Sequence, residues 1–197
     1  DVLGVYTSFF NNDVTVENIG EIIGKELCNL DYNSFSVIGI CVGSAVTLEI
    51  VKYLENNGKT VENVFIGASL PTKSPSIFGK TINPWSFIGR KQINYILEKL
   101  GGEQVYFEKV SEKIFRNDTS RFFKYVNKEN RINIKGKVIL IFGENDKITL
   151  GYSHKAKKWK NYINDFKLIT LKNAGHYFIK SKAKEVAEII EKSSKIK

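Results

Sequence analysis

Residues 37–54 read VIGICVGSAVTLEIVKYL, an apolar run, a cysteine bracketed by Gly39 and Gly43, and then a helical pattern. Few features constrain a fold more. An apolar run that ends on Gly-x-Cys-x-Gly and continues as an amphipathic helix predicts a buried strand turning sharply into a helix. The turn holds the residue at its apex in a strained backbone conformation. Side chains at the flanking positions would clash across it, and glycine at both removes the clash. The thiol of Cys41 at that apex stands at a helix N-terminus, where the dipole favours thiolate over thiol.

The rest of the chain repeats the rhythm. VLGVY (2–6) reads as a short strand, and Thr15 caps a helix with Glu17 in its first turn and Val16, Ile19, Ile23 and Leu27 on one face, Ile22 beside them. FSVIGI (35–40) is a strand, and Gly58 suits the left-handed end of the helix through Ala45, Leu48, Val51 and Leu54. NVFIGASL (63–70), KVILIFG (137–143) and FKLITL (166–171) are further strands, and a last helix carries Ala183, Val186, Ala187 and Ile190. Residues 71 to about 132 break the pattern with Pro71, Pro75, Pro84, many aromatics and short helical stretches such as KQINYILEKL, without a strand signal. An insertion of about sixty residues is too long for an ordinary connection and predicts a lid. The reading is an α/β chain, mostly parallel sheet with helices on both faces, forming one domain over 1–197 with a helical lid insertion at about 71–132.

Composition narrows the function classes. Lys and Arg number 30 against 21 Asp and Glu, a net charge of +9, but the lysines are spread along the chain, so the charge is read as a general positive field and no nucleic-acid partner is expected. No apolar run reaches the ~18 residues of a membrane span, and no signal peptide is visible. The only cysteines, Cys28 and Cys41, make no disulfide framework, and a reducing cytoplasm is the expected location. There is no methionine, and Asp1 opens almost directly into the first apolar run, so the chain is expected to be part of a longer translation product.

In an open parallel sheet, function collects at the carboxyl ends of the strands. Cys41 follows VIGI, Asp146 follows VILIFGEN, and His176 follows LITLKNAG. Nucleophile, acid and histidine in that order match the α/β-hydrolases. His176 takes or holds the thiol proton, Asp146 orients the imidazole, and the N–H of Val42 supplies half of an oxyanion hole. No metal and no bound cofactor enter this scheme. Cys28 is read as a buried hydrophobe, and His154, in GYSHKAKKWK, as a solvated residue on a wet lysine face.

Over nearly its whole length the chain resembles the thioesterases that serve nonribosomal peptide and polyketide synthases. TVENIGEIIGKEL and the stretch from FSVIGICVGS to FIGASLP resemble that family's helix, strand, elbow, helix and strand; ILEKLGG and FRNDTSRFFKYV resemble its lid; VILIFGENDKIT, KKWKNYI and NAGHYFI resemble its acid loop, tryptophan helix and histidine loop. The resemblance implies hydrolysis or transfer of an acyl or peptidyl group carried on a carrier protein's phosphopantetheine arm, with Cys41, Asp146 and His176 at the triad positions. Carrier proteins are commonly acidic, and a positive surface assists their approach. The lid residues Phe78, Trp85, Phe87 and Tyr95 are expected to line the acyl path.

Two departures stand out. The family's usual nucleophile is serine, and Ile40 stands where relatives often have histidine or tryptophan. Relatives also begin with a further strand and a loop supplying the second oxyanion donor. Either an N-terminal segment precedes this chain, the expected case, or VLGVY takes that strand's place and TSFFNND supplies the donor. Two other classes fit the elbow. One is a cysteine hydrolase or acyltransferase of the dienelactone hydrolase or polyhydroxyalkanoate synthase kind; the other is a non-catalytic hydrolase-fold binding module.

Overall fold

The computed structural model describes residues 2–4, 13–71, 76–77, 80–99, 109–128 and 132–194. Helix α1 (Val16–Cys28) starts where the sequence predicts, with the Asn18 N–H donating to Thr15 Oγ1 at 3.2 Å, a cap that contributes about 1 kcal/mol. Val16, Ile19 and Ile23 are buried, whereas Ile22 is 47 % exposed and lies off the packed face. Strand β1 (Ser34–Ile40) leads through the turn at Cys41 into α2 (Gly43–Asn56), and Gly58 takes φ 78° just beyond that helix. Among the described residues, strands β2 (Thr60–Gly67), β5 (Lys137–Gly143) and β6 (Lys167–Leu171) join β1 in a four-stranded, all-parallel sheet in the order β1-β2-β5-β6.

Between β2 and β5 lie a two-stranded antiparallel ribbon, β3 (Ser76–Ile77) with β4 (Lys80–Thr81), a 3-10 turn at Pro84–Phe87, helix α3 (Arg90–Lys99) and helix α4 (Lys109–Asn127). The ribbon is too short to leave a strand signal in the sequence. After β5 come the one-turn helix α5 (Tyr152–Lys155) and a 3-10 segment at Ala156–Asn161; after β6 come α6 (Phe178–Ser181) and α7 (Ala183–Ser194).

Alternation along β2 and β5 splits the core. Val64, Ile66, Val138, Leu140 and Phe142 join a cluster with α1, α2, α4 and Trp159, while Phe65, Ile139 and Ile141 point to the opposite face and meet Phe178 and Val186. β1 departs from the expectation of burial on both faces. It lies at one end of the strand order, and its Ile38 is 40 % exposed. The expected strand at residues 2–6 is described only at 2–4, which carry no strand and expose Val2 and Leu3.

The lid helix α4 is tied to the body at its C-terminal end. Tyr125 donates to the buried Glu49 of α2 at 2.9 Å, and the Tyr162 hydroxyl donates to the Val126 carbonyl. Burial, reinforced by the Glu49 carboxylate, pushes the Tyr125 phenol far up from its ordinary value, so it stays a donor.

Candidate active site

The elbow is built as its sequence demands. Cys41 has φ 55°, a left-handed conformation rare outside glycine. Its N–H is tied to the Gly67 carbonyl at 2.8 Å, and its own carbonyl accepts from Ser44 Oγ at 2.7 Å. Ser44 continues to Ser69 Oγ at 2.7 Å, and the Ser69 carbonyl accepts from the buried Trp159 indole at 3.1 Å. A chain of buried polar groups therefore holds the strained turn from behind.

The two flanking glycines do different work. A Cβ at Gly39 would stand 2.2 Å from Thr47 Oγ1 and 2.9 Å from the Gly43 carbonyl oxygen. At Gly43 a Cβ would meet nothing within 4 Å among the described residues, so the expected clash applies to Gly39 alone. Gly43 opens α2, and its outer side faces a small recess beside Val16, Asp118 and Arg121.

Asp146 sits at the carboxyl end of β5 with almost no exposure. One carboxylate oxygen accepts the Ile148 N–H at 2.9 Å; the other accepts Thr149 Oγ1 at 2.6 Å and lies 2.9 Å from His176 Nδ1. Burial works against its charge. The bonds from His176, Thr149 and the Ile148 backbone outweigh that, and its carboxyl is held below the usual carboxylate range. His176 is likewise buried. Burial disfavours its protonated ring, but the hydrogen bond to Asp146 and the interaction with Cys41 more than offset this, and its pKa is pushed up to about 9. With Nδ1 on the carboxylate, Nε2 is the ring nitrogen left for the thiol. Thus Asp146 and His176 form one hydrogen-bonded pair, and His176 and Cys41 line the same cavity.

A third glycine makes that pairing possible. A Cβ at Gly143 would lie 2.4 Å from the Ala174 carbonyl oxygen and 2.5 Å from that of Gly175, so the acid loop and the histidine loop touch backbone to backbone. Gly143→Ala is expected to destabilise the fold by about 1–3 kcal/mol, the usual range for overpacking. A misplaced His176 should also lower kcat/KM about 10²-fold, as displacements near 1 Å do. Thermal unfolding and steady-state kinetics on the same variant check both.

Val42 begins the turn of helix after Cys41 with φ −64° and ψ −25°, and among the described residues its N–H has no acceptor. It borders the same cavity as the thiol. Of TSFFNND, the alternative source of the second donor, only Asp13 lies within the described residues, so that alternative falls outside them.

The cavity over Cys41 measures about 570 Å³. Its far wall comes from the 3-10 turn and α4, through Trp85, Ile88, Phe115, Phe122 and Phe123. Of the four lid residues expected to line it, Trp85 does so. Phe87 and Tyr95 do not; they are 78 % and 59 % exposed. The reason is facial: the 3-10 turn aims Trp85 and Ile88 inward, and α3 buries Ile93, two residues and about 200° of helix from Tyr95. Phe78 lies outside the described residues. Cys28 is half-buried against the main core, and His154 is exposed.

Several groups around the site were not evident beforehand. Thr149 steadies Asp146, Tyr177 borders the cavity beside His176, and Ala68, at φ 48°, forms wall next to the elbow. Thr149 had a signal, a hydroxyl three residues beyond an acid in a tight loop. The serines behind the elbow had none, since their partners are distant in sequence.

A parallel sheet, a strained cysteine at a strand-to-helix elbow, and an acid and a histidine at later strand ends define the α/β-hydrolase fold. No family model and no curated protein matches the chain. Solved structures do. The chain is similar to ClbQ from the colibactin NRPS/PKS pathway, with a TM-score of 0.70 and 16 % identity over 91 % of this chain and 76 % of that one. It is similar to RedJ, a thioesterase from the prodiginine biosynthetic pathway of Streptomyces coelicolor, with a TM-score of 0.65 and 17 % identity over 89 % of this chain and 69 % of that one. YbtT, a type II thioesterase from the yersiniabactin NRPS/PKS pathway, gives 0.61 and 13 % over 91 % and 73 %. At these identities the likeness is one of fold. No helix among the described residues is long and apolar enough to cross a membrane.

Proposed function

We propose that the chain is a thioesterase that removes an acyl or peptidyl group from the phosphopantetheine thioester of a carrier protein, through a covalent intermediate on Cys41. The observation that carries this reading is the placement of His176, bonded through Nδ1 to a buried, charged Asp146 and lining the same apolar cavity as Cys41. The fold shared with thioesterases of two biosynthetic pathways supports it.

In this reading the Cys41 thiolate attacks the thioester carbonyl, and the oxyanion forms against the Val42 N–H. As the intermediate collapses, the carbonyl–sulfur bond to the arm breaks and the protonated His176 returns its proton to the departing pantetheine sulfur. The acyl group is then a thioester on Cys41. Neutral His176 takes a proton from water, the hydroxide adds to the carbonyl, and the free acid leaves as Cys41 is regenerated. Asp146 keeps the ring in the tautomer this needs. Cysteine distinguishes the chain from serine enzymes of the same fold. Exchange of one thioester for another changes the free energy little, so the acyl-enzyme stays reactive toward amines and thiols as well as water, which suits transfer or cyclisation alongside hydrolysis.

Alkylation tests the central step. Iodoacetamide should modify Cys41 at least about tenfold faster than Cys28, and His176→Ala should erase the difference, because thiolate character and access set the rate. Equal rates in the unaltered protein would remove the nucleophile from the proposal. Turnover of acyl-pantetheine, with little of the matching p-nitrophenyl ester, separates a thioesterase from a general ester hydrolase.

A further inference from the structure

Among the described residues that line the cavity over Cys41, the exposed ones mark an opening. Most of its lining is buried or half-buried, but Pro84, Ile148 and Lys155 are exposed, so it reaches solvent between the 3-10 turn of the lid and the loop after Asp146. That loop and the segment following it have an unusual surface. From 147 to 160 the chain carries Lys147, Lys155, Lys157, Lys158 and Lys160, all exposed, and no carboxylate. Lys155 Nζ is held over the loop by a 2.6 Å bond to the Leu150 carbonyl and borders the cavity, so this lysine is more than part of a wet helix face. Lys158 follows it by one 3-10 turn, which places the two on the same side. Among the described residues Lys147, Lys157, Lys158 and Lys160 have no ion-pair partner. Leu150 is 69 % exposed and Ile148 39 %. Exposed leucine among uncompensated lysines, continuous with the mouth of an apolar cavity, is the surface an acidic partner with an apolar contact would seat on.

We infer that the 147–160 segment is the docking surface for an acidic carrier domain, with Leu150 as its apolar contact and Lys155 at the rim where the phosphate of the arm passes. This rests on the carrier-thioester reading and adds to it the surface that recognises the carrier. The lysines act mainly by steering encounter and registering the partner. Their effect should be confined to carrier-borne substrate and should weaken with salt.

The test compares an octanoyl-loaded acidic carrier domain with octanoyl-N-acetylcysteamine, which has the thioester but no carrier. Lys158→Glu and Leu150→Asp lie outside the cavity and on exposed positions; Lys184→Glu, on α7, is the control. Each of the first two should lower kcat/KM on the carrier substrate about tenfold, mostly through KM, and change the small thioester less than about twofold, with the control like the unaltered protein. If the unaltered protein prefers the carrier substrate and both variants keep that preference, the docking surface is overturned while the carrier reading stands. If the unaltered protein shows no preference at all, the carrier reading falls and the docking surface with it.

Discussion

Cys41→Ala is expected to lower kcat/KM on an acyl thioester by at least about 10⁴-fold, leaving only what cavity and oxyanion donor contribute, as loss of a nucleophile does in enzymes that act through a triad. The fold should survive. Cys41 is only half-buried, its backbone bonds to Gly67 and Ser44 are independent of the sulfur, and an alanine, Ala68, already takes φ 48° in this same protein. Unfolding curves therefore separate lost chemistry from lost structure. Cys41→Ser answers a finer question. Serine forms an oxoester of lower free energy, so partitioning of the acyl group between water and an added amine should move toward water relative to cysteine. Equal partitioning in both would mean that sulfur was not retained for transfer. Activity retained in Cys41→Ala would dismiss the covalent intermediate outright.

The second large effect belongs to Asp146. Asp146→Asn keeps the shape but removes the charge facing His176 Nδ1, and the expected loss in kcat is on the order of 10³- to 10⁴-fold, the scale seen when a triad histidine is left in the wrong tautomer. The pH dependence should change with it. His176 is raised from 6.5 to about 9, so the stability its protonated ring confers is fully present below about pH 6.5 and is lost as pH rises through about 9. Asp146 is lowered from 3.8, so its contribution is present above that value and is lost as pH falls through its depressed value in the folded protein. The pair stabilises most between about pH 4 and 6.5. In Asp146→Asn the loss of stability near pH 9 should shift to lower pH, toward the ordinary histidine range. Unfolding free energies measured from pH 4 to 10 for both proteins decide this, and identical profiles would show that the two side chains are not coupled.

The four strands of the parallel sheet, helices α1, α2 and α7, and the order of cysteine, acid and histidine were legible because each is written locally, whereas α4, 19 residues long, was read only as part of an insertion with short helical stretches. A run such as KVILIFG has few alternatives, and a cysteine between glycines at the end of such a run marks a turn. What the sequence hid depends on partners far along the chain. Phe87 and Tyr95 look like pocket residues by composition, yet which face of a short turn or of α3 meets the body is decided by Trp85 and Ile93 packing together. Gly39 and Gly43 are symmetric on paper, but Thr47 crowds only one of them. Gly143 carries no motif, because its neighbours are carbonyl groups some thirty residues later. The place of β1 at one end of the strand order among the described residues likewise follows from topology, which periodicity does not encode.

The fastening of α4 at Tyr125 and Val126 determines how the chamber over the thiol can change size. Arg116 donates to the carbonyls of Trp85 and Ile88 and pairs with Glu112, which also pairs with Arg90, so the roof segment travels with the helix. From Tyr125 back to Lys109 is about 24 Å of helix at 1.5 Å per residue, so a pivot of about 5° at Tyr125 would swing the Lys109 end by about 2 Å and Phe115 by little more than about 1 Å. Such a pivot would change the volume of the chamber while leaving the 2.9 Å separation of imidazole and carboxylate as it is.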